Sequence, residues 1–386
     1  MVTGPQHPRP APLRSSVIVI VLVVLLFTAA ALTAFVEKAG NDLLVDVRAT
    51  EAHRLRQEAF SALEVTLAVL EDFRTADNGL HSPAEGWGTP LAWAGWNPSE
   101  GRTVEVSLRD ESGKIPLAHA DMTTLTNLFE TWQLPPADAG RLADAVLGWM
   151  RPGYVYTSTL TPDYDQDAVP YAEPQRAMRS FGELAAIDDA REVFFDENGQ
   201  PNDLYWRFVD DCSLFTFSVP NVNGANADVL SAVGQYTPVQ RQHVADYLEG
   251  RGQFAQQGAQ WFQNSTTLAS VAGLGGNAAP FGVTITALRI TITVREGSSR
   301  YRLSTVVAPQ GGAVLNTTIA TNATSAASTT SASTTASVTN TAQPASTAST
   351  AAAAAAASQS INYPFTVLEM LEDDEIPQPP PVVPTL

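Results

Sequence analysis

The chain has 386 residues, enough for two modest domains or for one domain carrying a large insertion. Its 40 acidic against 22 basic side chains leave a formal charge of −18, a field that repels phosphate and makes nucleic acid a poor partner. A single cysteine, Cys212, excludes an intramolecular disulfide framework and a four-cysteine zinc site, so stability must come from packing or from bound metal.

Residues 1–16 read as a cytoplasmic leader, with Arg9 and Arg14 unopposed by any acid. Val17 to Phe35 then runs without a charge and nearly spans a hydrocarbon core of roughly 30 Å. The first charges beyond it include Glu37, Asp42 and Asp46, so the basic flank stays in the cytoplasm and the bulk lies outside it. The rival reading is a secretory signal cut after Ala34, but the apolar run is longer than the roughly 7–15 residues of a signal core. Leu43 to Arg74 contains no proline, and Phe60, Leu63, Leu67 and Leu70 recur at helical spacing. Residues 17–74 are therefore expected to be a transmembrane helix continued as an amphipathic one.

Residues 75–117 open with Asn78-Gly79 and a loop rich in proline and glycine, in which Trp87, Trp93 and Trp96 are expected to be buried anchors. Thr103 to Leu108 alternates apolar and polar residues, and Asp110-Glu-Ser-Gly113 predicts a turn that sends Lys114 to Leu117 back as the second strand of a hairpin. Residues 118–280 predict a helical insert. Asp121 caps one helix, Pro135-Pro136 separates it from a second over Ala137 to Trp149, and the layout recurs in Asp228 to Val233 followed by a helix from Pro238. Residues 281–308 predict a second hairpin, Val283 to Val294 with Tyr301 to Val307. In 309–386, the serine, threonine and alanine of Asn316 to Ser358 supply too little apolar mass to fold, which predicts a disordered tail ending in acidic and proline-rich residues. Tyr363 to Leu368 within it reads either as a tethered strand docked on the domain or as more disorder.

No catalytic constellation emerges. The five histidines are scattered, and Cys212 follows Asp210 and Asp211, which disfavour its thiolate, so it reads as a buried small hydrophobe and the chain as no enzyme. Asp163, Asp165 and Asp167 alternate in one loop and read either as a calcium site, to which Asp144 and Glu173 add oxygens if the fold brings them near, or as a solvated acidic loop.

This order of segments resembles the K-type minor pseudopilins of bacterial type II secretion (general secretion pathway protein K). The matching stretches are the N-terminal helix, Glu105 to Ile115, Ala143 to Trp149, Tyr171 to Leu184 and Asn221 to Leu230. The resemblance implies an α+β pseudopilin fold: a long N-terminal helix on a small antiparallel sheet, with a large inserted α-helical domain. It also implies a structural subunit at the tip of the pseudopilus, partnered by I-, J- and H-type minor pseudopilins, held in the inner membrane, processed by prepilin peptidase between Ser16 and Val17 and supporting export across the outer membrane. Val21 takes the position, fifth from Val17, where other pseudopilins carry a glutamate, and its lack of charge suits a subunit with nothing above it. The chain departs from the family pattern in having Ser16 where a glycine precedes the cut, in having Gly148 and Arg151 around Trp149, and in its tail. The alternative is a membrane-anchored extracytoplasmic binding module built from helical hairpins and unrelated to secretion.

Overall fold

The computed structural model describes residues 14–158, 162, 164, 170–274, 280–315 and 364–377, with Arg14 to Val17 as backbone only. The expected anchor and amphipathic helix are one element, α1 (Arg14–Ala76). Nothing within it breaks the hydrogen-bond ladder, since no proline occurs and its one glycine, Gly40, has open space around it. It stops where Asn78 turns left-handed (φ 55°) and the Gly79 N–H reaches back to the Arg74 carbonyl at 3.0 Å.

Only the second half of α1 is covered. Leu55, Ala59, Ala62, Leu63, Thr66, Leu67 and Leu70 form its buried stripe, while Phe60, expected on that stripe, sits at its margin under the Arg56 guanidinium. The loop after α1 includes the short α2 (Pro90–Trp93). Trp87 is a fully buried anchor whose indole donates to Glu85, but Trp93 is 63% exposed and meets Phe73 edge to face. Trp93 is not the buried anchor its sequence neighbourhood predicts, because α2 places it on the outer side of the loop.

The stripe packs on one face of a four-stranded antiparallel sheet of order β1-β5-β6-β8, from β1 (Arg102–Asp110), β5 (Leu288–Glu296), β6 (Ser299–Pro309) and β8 (Phe365–Glu372). Ile290, Ile292 and Val294 of β5, with Tyr301 and Leu303 of β6, supply the sheet side of that core. The β5–β6 hairpin forms as the sequence predicts, across a two-residue turn whose Gly297 has φ 58°.

The first predicted hairpin does not form. After Asp110 the chain closes a local turn in which its carboxylate accepts the Ser112 N–H, and β2 (Ile115–Pro116) runs on to pair in parallel with β3 (Cys212–Ser213). The true partner of β1 is β5, in register from Arg102 opposite Glu296 to Asp110 opposite Leu288. Alternation along a strand sets which face is buried, not which strand lies beside it.

The chain between β1 and β5 is the helical insert. It contains α3 (Met122–Thr131), α4 (Pro136–Met150), α5 (Asp188–Phe194), α6 (Asp203–Asp211), α7 (Ala227–Gly234), α8 (Pro238–Glu249) and α9 (Ser265–Ala272). Both predicted helical hairpins are present, α3 with α4 and α7 with α8, and α3 also packs on α7 so that they share one core around Leu125, Phe129, Phe194 and Phe208. A smaller cluster of Phe215, Phe217, Val306 and Leu368 lies where β4 (Phe215–Thr216), paired with β7 (Val314–Leu315), meets the sheet.

Of the two readings of the C-terminal segment, the docked strand is the one realised. Disorder does not extend through all of 309–386, because β8 pairs with β6 and buries Phe365 and Leu368, while Glu372 and Glu369 meet Arg56 and Arg289. Residues 316–363 lie outside the described residues.

Candidate functional site

Two features stand out against this frame. The first is the bare half of α1. From Ile18 to Arg54 every residue is exposed, a rod of about 55 Å at the helical rise of about 1.5 Å per residue. Its first part is apolar on all sides, from Ile18 through Leu26 and Phe27 to Phe35, long and apolar enough to cross a membrane. Val21 lies within it, 51% exposed, with no carboxylate at that level of the helix. Beyond the apolar run, Leu43, Leu44, Val45 and Val47 remain uncovered although charged residues surround them. The side chains of Ser16 and Val17 lie outside the described residues.

The second feature is the scaffold of the acidic loop that follows α4. The last turns of α4 are buried from Leu142 to Met150, so Asp144 is a carboxylate inside an apolar helix end. It is fully satisfied: Oδ1 accepts the Tyr154 hydroxyl at 2.7 Å, and Oδ2 accepts the N–H groups of Thr157 at 2.8 Å and Ser158 at 2.6 Å. Burial alone would raise its pKa, but these donors outweigh burial and hold it below the usual value. Tyr156 lies along α4 and donates its hydroxyl to Glu173. Gly148 makes this possible, since a Cβ there would overlap the Tyr156 ring. Gly148 thus has a packing reason, and Arg151 donates to the Ala120 carbonyl.

The return arm of the loop is held as firmly. Glu183 accepts the Trp149 indole N–H at 3.1 Å, the Arg179 N–H at 2.8 Å and the Arg176 guanidinium. Tyr164, inside the loop, is buried edge-on against Trp149 and beside Tyr171, with ring centroids 5.9 and 5.0 Å apart. Asp163, Asp165 and Asp167 lie outside the described residues. Among the described residues no group of three histidine, cysteine or acidic side chains converges to hold a metal, and Asp144 spends both oxygens on protein donors. Sequence reasoning placed Asp144 near the loop only conditionally. Its signal was a lone carboxylate on an otherwise apolar helix end.

Cys212 is fully buried, and its thiol is pushed up first by burial and then by Asp211. His81, also buried, pairs with Glu85 at 2.6 Å under Trp87. Both belong to the packing.

Residues 106–196 match the family model described as type II secretion system (T2SS), protein K, a stretch running from within β1 through α3, α4 and the acidic loop to the end of α5. Among solved structures, one similar chain belongs to the crystal structure of the GspK–GspI–GspJ complex from the enterotoxigenic Escherichia coli type 2 secretion system. It is 13% identical, with 68% of this chain and 93% of that chain covered, at a TM-score of 0.47. No curated protein sequence matches the chain. The matched segment, which holds the second half of β1, the first helical hairpin and the scaffold of the acidic loop, is similar to protein K of the type II secretion system.

Proposed function

We propose that this subunit sits at the tip of the type II secretion pseudopilus as a structural, non-enzymatic component, supporting protein export across the outer membrane. Its partners in this reading are I-, J- and H-type minor pseudopilins. Its apolar helix starts in the inner membrane as a single pass, with the N-terminus cytoplasmic and the rest periplasmic. The observation that carries the reading is the match of residues 106–196 on a fold whose first helix is half packed and half bare. A helix uncovered on every side needs either lipid or other helices around it, and one segment can use both in turn. The uncharged Val21 supports a terminal position, since no carboxylate there calls for an amine from a subunit above.

The helical-hairpin binding module is disfavoured by the packing of α3 on α7, which spends the hairpin faces on a common core. Co-purification from membranes with I- and J-type pseudopilins is the direct test. Recovery of a complex supports the assignment, and failure with well-folded protein sinks it. The mass of the mature N-terminus tests processing: a start at Val17 supports prepilin peptidase cutting after Ser16.

Calcium at Asp163, Asp165 and Asp167 belongs to the same proposal. The support is chemical, three hard oxygen donors at alternate positions in a loop whose two arms Asp144 and Glu183 fix. Bound there, the ion would offset two of the three like charges and tie the loop down. A calorimetric melting point unchanged by calcium would remove it.

A further inference from the structure

Asp211 closes α6 and is 1% exposed, in an interior where a carboxylate needs a donor at each oxygen or a proton. Its Oδ1 accepts the Asn226 side-chain amide, whereas its Oδ2, equally enclosed, has no donor. The same Asn226 side chain accepts the N–H groups of Asp228 and Val229, so one amide stands between the two aspartates. The Asp228 carboxyl lies beside that of Asp211, and its own Oδ2 takes Arg207 Nε at 2.7 Å and the Trp132 indole at 3.3 Å. Arg207 also faces Asp211 from within α6. The remaining charges nearby are committed elsewhere: Lys114 to Glu111 and the Val209 carbonyl, Asp210 to Arg109 at the surface. Asp228 therefore has two donors stabilising its charge, and the uncovered oxygen belongs to Asp211.

We propose that Asp211 and Asp228 share one proton, the Asp211 hydroxyl donating to the Asp228 carboxylate, and that loss of this proton loosens the α7–α8 hairpin from α6. The docking of the second helical hairpin is thereby pH-dependent. Burial, then the negative charge of Asp228, push Asp211 up to about 7 against the opposing hydrogen bond from Asn226, so the proton leaves near neutrality. Once it has left, two negative charges, the buried one of Asp211 and that of Asp228, face the single guanidinium of Arg207. Because the folded pKa lies above the unfolded one, the contribution to stability is complete below the unfolded range and is lost as pH rises through about 7. The inference concerns the insert alone and stands whether or not the subunit occupies a pseudopilus tip.

The experiment is hydrogen exchange on the full chain in detergent between pH 6 and 8, corrected for the intrinsic pH dependence of exchange. In the wild type, protection over Ala227–Glu249 falls as pH rises. In Asp211→Asn, whose carboxamide keeps a donor at that position, protection at pH 8 matches the wild type at pH 6 and no longer depends on pH. Asp110→Asn, which removes another carboxyl raised by burial to about 7, leaves the pH dependence at α7–α8 in place. A pH-independent hairpin in the wild type, or an undiminished dependence in Asp211→Asn, overturns the proposal. Titrating the Asp211 side-chain carbon by NMR in the wild type needs no variant: a midpoint near 7 supports the shared proton, and one below about 5 overturns it.

Discussion

Arg56, one residue past the point where α1 enters the fold, grips Glu372, at the end of the last strand, with both prongs of its guanidinium, at 2.9 and 2.7 Å across 316 positions of sequence. The hydrogen bonds from Arg56 and from Tyr301 pull the Glu372 carboxyl down to about 2. Its folded pKa lies below the unfolded value, so the contribution is complete above the ordinary carboxylate range and disappears as pH falls through about 2. Glu372→Gln should therefore leave global melting nearly unchanged, because the pair is substantially exposed, while hydrogen exchange over Phe365–Glu372 speeds up. Equal protection of β8 in the variant and the wild type would show that the clamp does not hold the strand.

Leu70 lies on the α1 stripe with no exposed surface. Leu70→Ala should cost about 2–5 kcal/mol in denaturant unfolding, by lost transfer energy and the cavity left against the sheet. Leu43→Ala, 65% exposed on the bare half of the same helix, should change stability by no more than about 0.5 kcal/mol. The contrast between the two marks where α1 changes from a free rod to part of a core.

Gly113 and Gly224 touch backbone to backbone at the seam between sheet and insert, and a Cβ on Gly224 would enter the Asp110 carboxyl. That carboxyl is already fixed by Ser112 and by Asn221, whose side chain also reaches the His81 carbonyl at 3.2 Å. Gly224→Ala should destabilise by about 1–3 kcal/mol, because neither neighbour has room to yield. Wild-type stability in this variant would mean that the seam is looser than its contacts.

Removing Asp144 takes away the acceptor that two N–H groups and a hydroxyl share. Asp144→Ala should cost about 1–3 kcal/mol and raise exchange at Thr157 and Ser158 before it affects α3 or the sheet. With a folded pKa below its unfolded value, Asp144 in the wild type contributes stability above the ordinary carboxylate range, lost progressively as pH falls below it. Loss of calcium-dependent stabilisation in this variant, if calcium binds the wild type, would connect the loop arms to the acidic triplet.

The elements legible in the sequence were those with a strong period: the apolar run and stripe of α1, the β5–β6 hairpin, and the paired helices α3–α4 and α7–α8. What stayed hidden was pairing at a distance. The alternation of Thr103 to Leu108 says that one face is buried, but β5 arrives some 180 residues later and local turn signals cannot announce it. The docked strand was equally obscure, because Phe365 to Glu372 is short, acidic and separated from β6 by a stretch without hydrophobic pattern, and its partners Arg56 and Arg289 are distant in sequence. In the loop scaffold, Gly148 looked like a missing acid until Tyr156 was seen to need its space.

The division of α1 at Leu55 also fixes how mechanical load reaches the folded body. Every side chain from Ile18 to Arg54 is exposed and the buried cluster of α1 begins at Leu55, so drawing that length out of one environment into another leaves the buried core intact. A pull along the rod enters the body through the stripe that begins at Leu55 and through the Arg56–Glu372 clamp beside it. The subunit can thus be hauled as a rigid load on a handle, and the work of moving the handle must come from outside the subunit.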